Sequence, residues 1–386
     1  MSDSDEFVLC ALGDVLINHE DPKSGFALLQ PALDAADLVF ANCEGAYSRA
    51  ESSGLLTAEP EQAEGLRVGA IDVMSCANNH VMDGGPAVMR DTLEVLRGLG
   101  IETVGAGADL ALARRPVVLE RRGLRVAFVA FVSTFPAGIE ARSKRPGVNP
   151  LRFHNHYYIG EGDLEFNPEI APEVMAIPFP QDMAALKASV EEAGRDADVV
   201  VASFHWGEAV RPLIIRKYER ETARVAIDAG AHVVLCHHPH IIRGVDFYRG
   251  APIFHGLGNG VFHVRGGAAS IPKEVQQVLI RQAGEYAPMP YEDYPFLPMH
   301  PESRISMVAY CGFRAGRVSR VGILPAFILP NGQTEPLDPS GGKGAECVEY
   351  LRHATEQAGL ASLVEADGGP ELAGYPLALI RPTDAR

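Results

Sequence analysis

Five short apolar segments of this chain, each predicted to be a β-strand, end directly in residues that bind metals or transfer protons. In chain order the residues that follow these segments are Gly13-Asp14, Asn42-Cys43-Glu44, Asn78-Asn79-His80, His205-Trp206-Gly207 and His237-His238-Pro239-His240. Helical segments alternate with the strands, which is typical of a parallel-rich α/β sheet. Because the carboxyl ends of parallel strands lie along one edge of a sheet, we expect these endings to converge on one site. A turn or N-cap role is the alternative for any one of them alone.

Composition narrows the class of protein. The 386 residues are 47% hydrophobic and 22% charged, which excludes a fibrous or disordered chain. The net charge of −16 excludes a uniform nucleic-acid binder, because such a protein needs a basic surface. The N-terminus is acidic, the six cysteines are dispersed, and no apolar run reaches the roughly 18 residues of a membrane span. These features predict a cytoplasmic protein without nucleic-acid or membrane partners, and they leave the oligomeric state open.

Two long segments, residues 133–180 and 266–301, contain many prolines and show no helix or strand period. We expect both to be irregular, to border the cleft and to contact the substrate, because long insertions in α/β enzymes commonly carry recognition. No clear linker interrupts the chain. One domain with these two insertions is therefore predicted over residues 1–330, with residues 331–386 packed on it as a C-terminal extension.

The strand-end motifs carry a resemblance to a known family. Together with Pro252-Ile253-Phe254 and Leu257-Gly258-Asn259, they appear in the order seen in CapA-like proteins, which are named for poly-γ-glutamate capsule synthesis. The resemblance covers about residues 7–330. It implies the α/β fold of calcineurin-like metallophosphatases, a two-sheet α/β/β/α sandwich with its site at the strand ends.

Two positions depart from the metallophosphatase pattern. Leu16 stands where that superfamily has a histidine ligand, and Asn42 stands where it has a bridging aspartate. Because a neutral amide offsets the repulsion between two close cations poorly, we predict no stable dinuclear centre and no cofactor. The alternative is one divalent metal, such as Mn or Zn. The resemblance implies Glu44, Asn79, His205 and His238 as its ligands, with His240 matching the superfamily's other metal position.

A metal-free cluster of this kind supplies general acids and bases, because histidine titrates near neutrality and neighbouring carboxylates tune it. The predicted catalytic residues are Asp14, Glu44, His80, His205, His238 and His240. The predicted substrate-binding residues are Asn42, Asn79, Trp206, Arg145 and His156, with core packing the alternative for the tryptophan and a surface position for the last two.

Three functions are consistent with these features. Some CapA-like proteins are peptide epimerases of lasso-peptide biosynthesis, and that resemblance favours acid/base proton exchange at a Cα atom of a ribosomal precursor peptide, without metal or cofactor. A metal-dependent hydrolase of a phosphoester or of a peptide or γ-glutamyl amide is the alternative. A non-catalytic scaffold in polymer assembly is the third, and the lack of a membrane anchor in the sequence disfavours it.

Overall fold

The computed structural model describes residues 6–51, 56–160, 169–209, 211, 213–266, 271–287 and 291–383. The strands among these residues are β1 Phe7–Leu16, β2 Leu38–Cys43, β3 Ala46–Tyr47, β4 Thr57–Ala58, β5 Val73–Ser75, β6 Glu102–Val104, β7 Ala106–Gly107, β8 Val117–Arg121, β9 Leu124–Val132, β10 Gly147–Val148, β11 Phe153–Tyr158, β12 Glu173–Pro178, β13 Val199–His205, β14 Val233–His237, β15 Val245–Tyr248, β16 Ala251–Phe254, β17 Asn259–Phe262, β18 Ile305–Arg314, β19 Arg317–Ile328, β20 Thr334–Pro336, β21 Ser362–Glu365, β22 Glu371–Leu372, β23 Tyr375–Pro376 and β24 Ala378–Pro382. The α-helices are α1 Gln30–Leu33, α2 Gly85–Gly98, α3 Leu110–Arg114, α4 Pro180–Asp196, α5 Lys217–Asp228, α6 Lys273–Ala283 and α7 Gly342–Gln357.

Two mixed sheets form the body of the protein. The larger has ten strands in the order β21-β24-β19-β18-β1-β2-β5-β6, with β17 beside β1 and β20 beside β19. The smaller has six strands in the order β15-β16-β14-β13-β9-β8. In the larger sheet β1, β2, β5 and β6 run parallel, and in the smaller sheet β9, β13, β14 and β16 do.

The sheets pack face to face through apolar side chains. Phe40 of β2 stacks on Phe128 of β9, with ring centroids 5.4 Å apart and planes 4° from parallel. The other face of the smaller sheet packs against α4 and α5, where Leu186 and Ala223 lie buried beside Phe204. Helices α2 and α7 pack against the larger sheet. The predicted two-sheet α/β/β/α sandwich is therefore confirmed.

The two segments expected to be irregular contain regular elements. In the first, β11 and β12 pair with each other as an antiparallel ribbon whose side chains are mostly exposed, and residues 161–168 lie outside the described residues. In the second, α6 begins directly after Pro272, and residues 267–270 and 288–290 lie outside the described residues. The prediction of irregular structure was wrong for both segments. For β11 and β12 the reason is that a ribbon exposed on both faces needs no hydrophobic period.

The C-terminal extension adds strands to the larger sheet. Strand β24 pairs with β19, β21 pairs with β24, and Leu351 of α7 is buried in the core. No helix formed by the described residues is both long enough and apolar enough to cross a membrane.

Candidate functional site

The predicted convergence of strand ends is seen in the contacts between their side chains. Asp14 lies in β1, Asn42 near the end of β2, and His205 at the end of β13 in the other sheet. The Asn42 amide donates to Asp14 Oδ1 at 2.9 Å and lies 3.4 Å from His205 Nδ1. Asp14 also lies beside the segment after β14, because the backbone amide of His238 donates to its Oδ2 at 3.3 Å. One buried cluster therefore forms where the two sheets meet.

A glycine allows the chain to bring Asp14 into this cluster. The register of β1 against β2 shifts between Ala11 and Asp14, and the Asp14 amide donates to the carbonyl oxygen of Gly258 at 2.9 Å. A Cβ atom on Gly13 would lie 2.0 Å from that same oxygen. The motif Gly13-Asp14 is thus explained by the close approach of the backbone before β17.

Glu44 occupies the centre of the cluster. Its Oε1 atom lies 3.3 Å from His240 Nε2, 3.8 Å from His205 Nε2 and 4.0 Å from His80 Nε2. The side chain is fully buried, and Oε1 accepts no hydrogen bond. A buried carboxylate oxygen without a donor needs a positive charge beside it.

Two groups of metal-binding atoms share this carboxylate. The first donor set is Asp14, Glu44 and His240, and the second is Glu44, His205 and His238; within each, the potential ligand atoms lie within 4.8 Å of one another. Asn79 joins the second set, because its Oδ1 lies 2.7 Å from His205 Nε2. Nitrogen and oxygen ligands of one metal ion at 2.0–2.2 Å stand roughly 3–3.5 Å apart. The 3.3 Å between Glu44 Oε1 and His240 Nε2 lies in this range, whereas the 2.7 Å between Asn79 Oδ1 and His205 Nε2 is a hydrogen-bond distance.

The imidazole of His240 is oriented by a neighbouring amide. His240 Nδ1 lies 2.9 Å from Asn259 Oδ1, and the Asn259 amide group donates to the carbonyl oxygens of His240 and Ser303. The amide orientation gives Nδ1 the proton and leaves Nε2 facing Glu44. A ligating histidine commonly has such a partner on its other ring nitrogen.

The backbone after β14 is strained. His238 and His240 have φ values of 93° and 55°, in the left-handed region that residues with a side chain rarely occupy. Such conformations cost about 1–3 kcal/mol each and concentrate at functional sites. Here they accompany two imidazoles that belong to the two donor sets.

The charges of the cluster shift its pKa values in opposite directions. Burial raises the pKa of Asp14 well above its usual value, and the Glu44 charge raises it further. Burial alone would raise the pKa of Glu44 as well, but the charges of His240 and His205 hold it well below its usual value. Burial lowers the pKa of His238 to about 3. Burial would also lower the pKa of His240, but Glu44 and Asp14 raise it to about 9.

The two departures from the metallophosphatase pattern have structural explanations. Leu16 is fully buried, and its Cδ1 atom would lie 2.6 Å from a Cβ atom on Gly45, so it packs and cannot ligate. Asn42 was expected to bind substrate, but it is fully buried and its amide donates to Asp14 and Glu44. It holds these two carboxylates in place, and Glu44 is the carboxylate that both donor sets share.

Three other residues predicted to bind substrate lie elsewhere. Trp206 is fully buried and stacks on Phe204 with ring centroids 4.1 Å apart, so it packs in the core rather than against substrate. Arg145 forms an ion pair with Glu140 at 2.8 Å, and His156 is exposed on the β11–β12 ribbon. In the described part of the chain, neither Arg145 nor His156 contacts the cluster.

Sequence reasoning missed several residues that support the cluster. Asn78 donates to the carbonyl oxygen of Cys43 at 2.6 Å, Asp83 Oδ2 lies 2.9 Å from His80 Nδ1, and Asn259 orients His240. Asn259 is the first residue of β17, whereas the candidate residues were taken from the ends of strands. The spacing between His80 and Asp83 was the available signal for that pair, since it fits one helical turn.

The fold and the buried histidine–carboxylate cluster at its strand ends define a metallophosphatase-like protein. The chain belongs to the family of the bacterial capsule synthesis protein PGA_cap, whose model matches residues 8–264. The resemblance to CapA-like proteins is thereby confirmed.

Curated relatives carry related names. The chain is 30% identical over 268 residues to the PGA biosynthesis protein CapA of Bacillus subtilis, covering 65% of this chain and 62% of that protein. It is 26% identical over 276 residues to the capsule biosynthesis protein CapA of Bacillus anthracis, covering 67% and 61%. It is 31% identical over 210 residues to a probable polyglutamine synthesis accessory protein of Mycobacterium tuberculosis, covering 52% and 48%. The chain thus matches about three fifths of the length of the first two.

Proposed function

We propose that this protein is a metal-dependent hydrolase. The observation that supports this function best is the pair of donor sets sharing Glu44, whose Oε1 atom is buried and accepts no hydrogen bond. A divalent metal would neutralise that oxygen. In the first donor set Asp14, Glu44 and His240 would hold such an ion. In the second donor set Glu44, His205 and His238 would hold it together with Asn79.

A divalent metal in such a site polarises the bond to be broken and lowers the pKa of bound water. The chain's own residues position the ligands. Asn42 holds the carboxylates of Asp14 and Glu44, and Asn259 holds His240. The donor sets are almost fully excluded from water, which strengthens every charge interaction within the site.

His80 is our proposed proton donor to the leaving group. Its side chain is 29% exposed, whereas that of Glu44 beside it is fully buried, so His80 stands at the mouth of the cluster. The Asp83 carboxylate lies 2.9 Å from His80 Nδ1 and orients the ring. The other ring nitrogen, Nε2, faces Glu44 and the incoming substrate.

We propose an amide of a glutamate polymer or acidic peptide as the substrate, rather than a phosphoester. The support is the set of relatives named for PGA and polyglutamine synthesis. Hydrolysis of such an amide consumes one water and yields one carboxylate and one amine. That reaction needs an activated water and a proton for the amine, which the donor sets and His80 would provide.

Peptide epimerisation is a second candidate, and it is the one that the sequence favours. Its support is the grouping of imidazoles: ring centroids lie 4.9 Å apart for His205 and His238, and 6.2 Å apart for His238 and His240. Proton exchange at Cα needs a base on one face of the carbon and an acid on the other. The grouped imidazoles are the acids and bases that such an exchange would use.

One experiment separates these functions. The protein is assayed by mass spectrometry in deuterated water with oligo-γ-glutamate and with an acidic α-peptide, before and after chelation and after addition of Mn²⁺ or Zn²⁺. A hydrolase yields shorter products, loses activity on chelation and regains it with metal. An epimerase yields product of full length with deuterium at one Cα and ignores the chelator.

Two variants complete the experiment. His205→Ala should lose both metal and turnover. His353→Ala, an exposed histidine on α7, is the matched control and should lose neither. If every sample contains only full-length, unlabelled peptide although the protein retains metal, both proposed reactions are contradicted. The non-catalytic scaffold then remains as the function.

A further inference from the structure

A groove of about 400 Å³ lies between α2 and the β7–α3 segment, outside the metal-binding cluster. Met89, Leu93 and Leu112 form the apolar part of its lining. Arg90, Arg97 and Arg115 also line it, and we call it the arginine groove.

The charge of the arginine groove is unbalanced. Its three arginines are exposed, and none forms an ion pair or side-chain hydrogen bond with a described residue. Glu94 lines the groove as well but is outnumbered. Elsewhere, Arg122 pairs with Asp37 and Arg152 with Asp182, as the acidic composition favours. Three unpaired guanidinium groups around one groove, in a chain of net charge −16, form a local anion-binding surface.

One end of the groove lies at the start of α2, the helix that follows His80 in the chain. Pro86 lines one end of it, and this residue lies in the first turn of α2, which begins five residues after His80 in the chain. From Pro86 the groove follows α2 to Arg97, a rise of roughly 16 Å at 1.5 Å per residue. A ligand lying along α2 would therefore place one end close to His80.

The spacing of the arginines points to an extended chain. Arg90 and Arg97 are seven residues apart on one helix, which places them on the same face about 10 Å apart. An extended polypeptide advances about 3.3 Å per residue, so carboxylates two to four residues apart reach both guanidinium groups. Glutamate also brings methylene groups, and the half-buried Leu93 and the exposed Leu112 give them an apolar surface to cover. Guanidinium groups bind carboxylates in a two-pronged geometry that lysine lacks.

We infer that the arginine groove binds a glutamate-rich polypeptide and delivers it to the cluster. This inference rests on the proposed function for its reaction but not for its binding step. Each bound carboxylate gains a charge-assisted hydrogen bond, and the methylene groups of glutamate cover Leu93 and Leu112. The negative charge of the rest of the surface disfavours binding of the same polymer elsewhere.

Binding is tested on metal-free protein, so that failure of the hydrolase leaves the result readable. The probe is a fluorescent deca-glutamate, followed by anisotropy at two salt concentrations. Arg90→Glu combined with Arg97→Glu should weaken binding by about tenfold or more and flatten its salt dependence. The control is Arg195→Glu combined with Arg317→Glu, the same total charge change at two exposed positions outside the groove, and it should bind within about twofold of the unchanged protein.

Other outcomes would overturn the inference. Equal binding by the groove double variant and by the Arg195→Glu, Arg317→Glu control would place the polymer elsewhere. Equal affinity for deca-glutamine would remove the role of charge. Arginine-dependent binding of an oligothymidylate of equal length, as tight as that of deca-glutamate, would make the groove a general polyanion site. Circular dichroism confirms that each variant is folded, and Arg115→Glu provides an independent variant on α3.

Discussion

A single carboxylate explains much of the cluster at the residue scale. Glu44 has no exposed surface, and three imidazole nitrogens lie within 4.0 Å of its Oε1 atom. An isolated buried charge is costly, so this carboxylate persists only beside protonated histidines or a cation. Since burial lowers the pKa of His238 to about 3, that imidazole stays neutral at working pH and is free to ligate a metal.

Removing the charge of Glu44 tests whether both donor sets depend on this carboxylate to hold metal. Glu44→Gln keeps the size of the side chain but removes the anion shared by both donor sets, so metal content after dialysis should fall by at least about half. His80→Ala leaves both donor sets intact and should retain metal while turnover falls by roughly 10²- to 10⁴-fold. Elemental analysis and initial rates on the same samples give both readouts. Full metal content in Glu44→Gln would show that metal binding does not need the Glu44 charge.

A second residue-scale prediction concerns pH. Burial, with the nearby guanidinium groups, lowers the pKa of His255 to about 3. The unfolded chain therefore gains this proton below about pH 6.5 while the folded protein does not. The stability that His255 contributes is complete above pH 6.5 and declines by roughly 1.4 kcal/mol per pH unit towards pH 3.

The test compares slopes, so a general loss of stability does not obscure it. Urea unfolding of His255→Leu between pH 6.5 and 4 should show a shallower decline than the unchanged protein does. His353→Leu removes an exposed histidine and serves as the control, with an unchanged slope. Identical slopes for all three proteins would mean that His255 takes up a proton in the folded state.

Strand ends are the elements that made the site predictable. Asp14, Glu44 and His205 each follow an apolar run, and the rule that parallel strands end along one edge brings them together without further information. Trp206 follows the same run as His205, but its side chain points to the opposite face of the sheet, into the core with Phe204. The alternation of faces separates these neighbours, and the sequence alone does not say which face meets the site.

Gly13 shows how a strand positions the cluster, and Gly98 in α2 provides the comparison. Gly13→Ala would place a Cβ atom 2.0 Å from the carbonyl oxygen of Gly258, so β1 and the segment before β17 must separate. We expect a loss of about 3 kcal/mol or more in the free energy of unfolding, together with loss of metal as Asp14 moves. Gly98→Ala adds a Cβ atom in α2 where no atom lies within 4 Å, and it should gain about 0.5–1 kcal/mol. Chemical unfolding of both variants measures these changes, and equal stability of Gly13→Ala and the unchanged protein would refute the close approach.

At the scale of the whole molecule, two sheets supply one site. Asp14 and Glu44 come from the larger sheet, whereas His205 and His238 come from the smaller one. Their relative placement depends on the apolar layer between the sheets, where Phe40 stacks on Phe128. The two-sheet sandwich was predicted only through the resemblance to CapA-like proteins. Neither the composition nor the hydrophobic period of a strand says which sheet that strand joins. The β11–β12 ribbon escaped prediction because its side chains are mostly exposed and do not follow the hydrophobic period of a core strand.

The C-terminal extension gives the last prediction. Ending the chain after Ser340 removes α7 and β21–β24, and with them the strand that pairs with Val321 and Ile323 of β19. It also removes Thr355, whose hydroxyl accepts from the Val245 amide in the smaller sheet. The extension thus joins both sheets, and its loss leaves residues 321–323 of β19 without a partner strand on one side. We expect the shortened chain to aggregate or to unfold at least about 10 °C lower, and to lose metal as the sheets shift. Size-exclusion chromatography, calorimetry and elemental analysis measure these three effects. A monodisperse shortened protein with unchanged unfolding temperature and metal content would show that residues 1–340 hold the site without the extension.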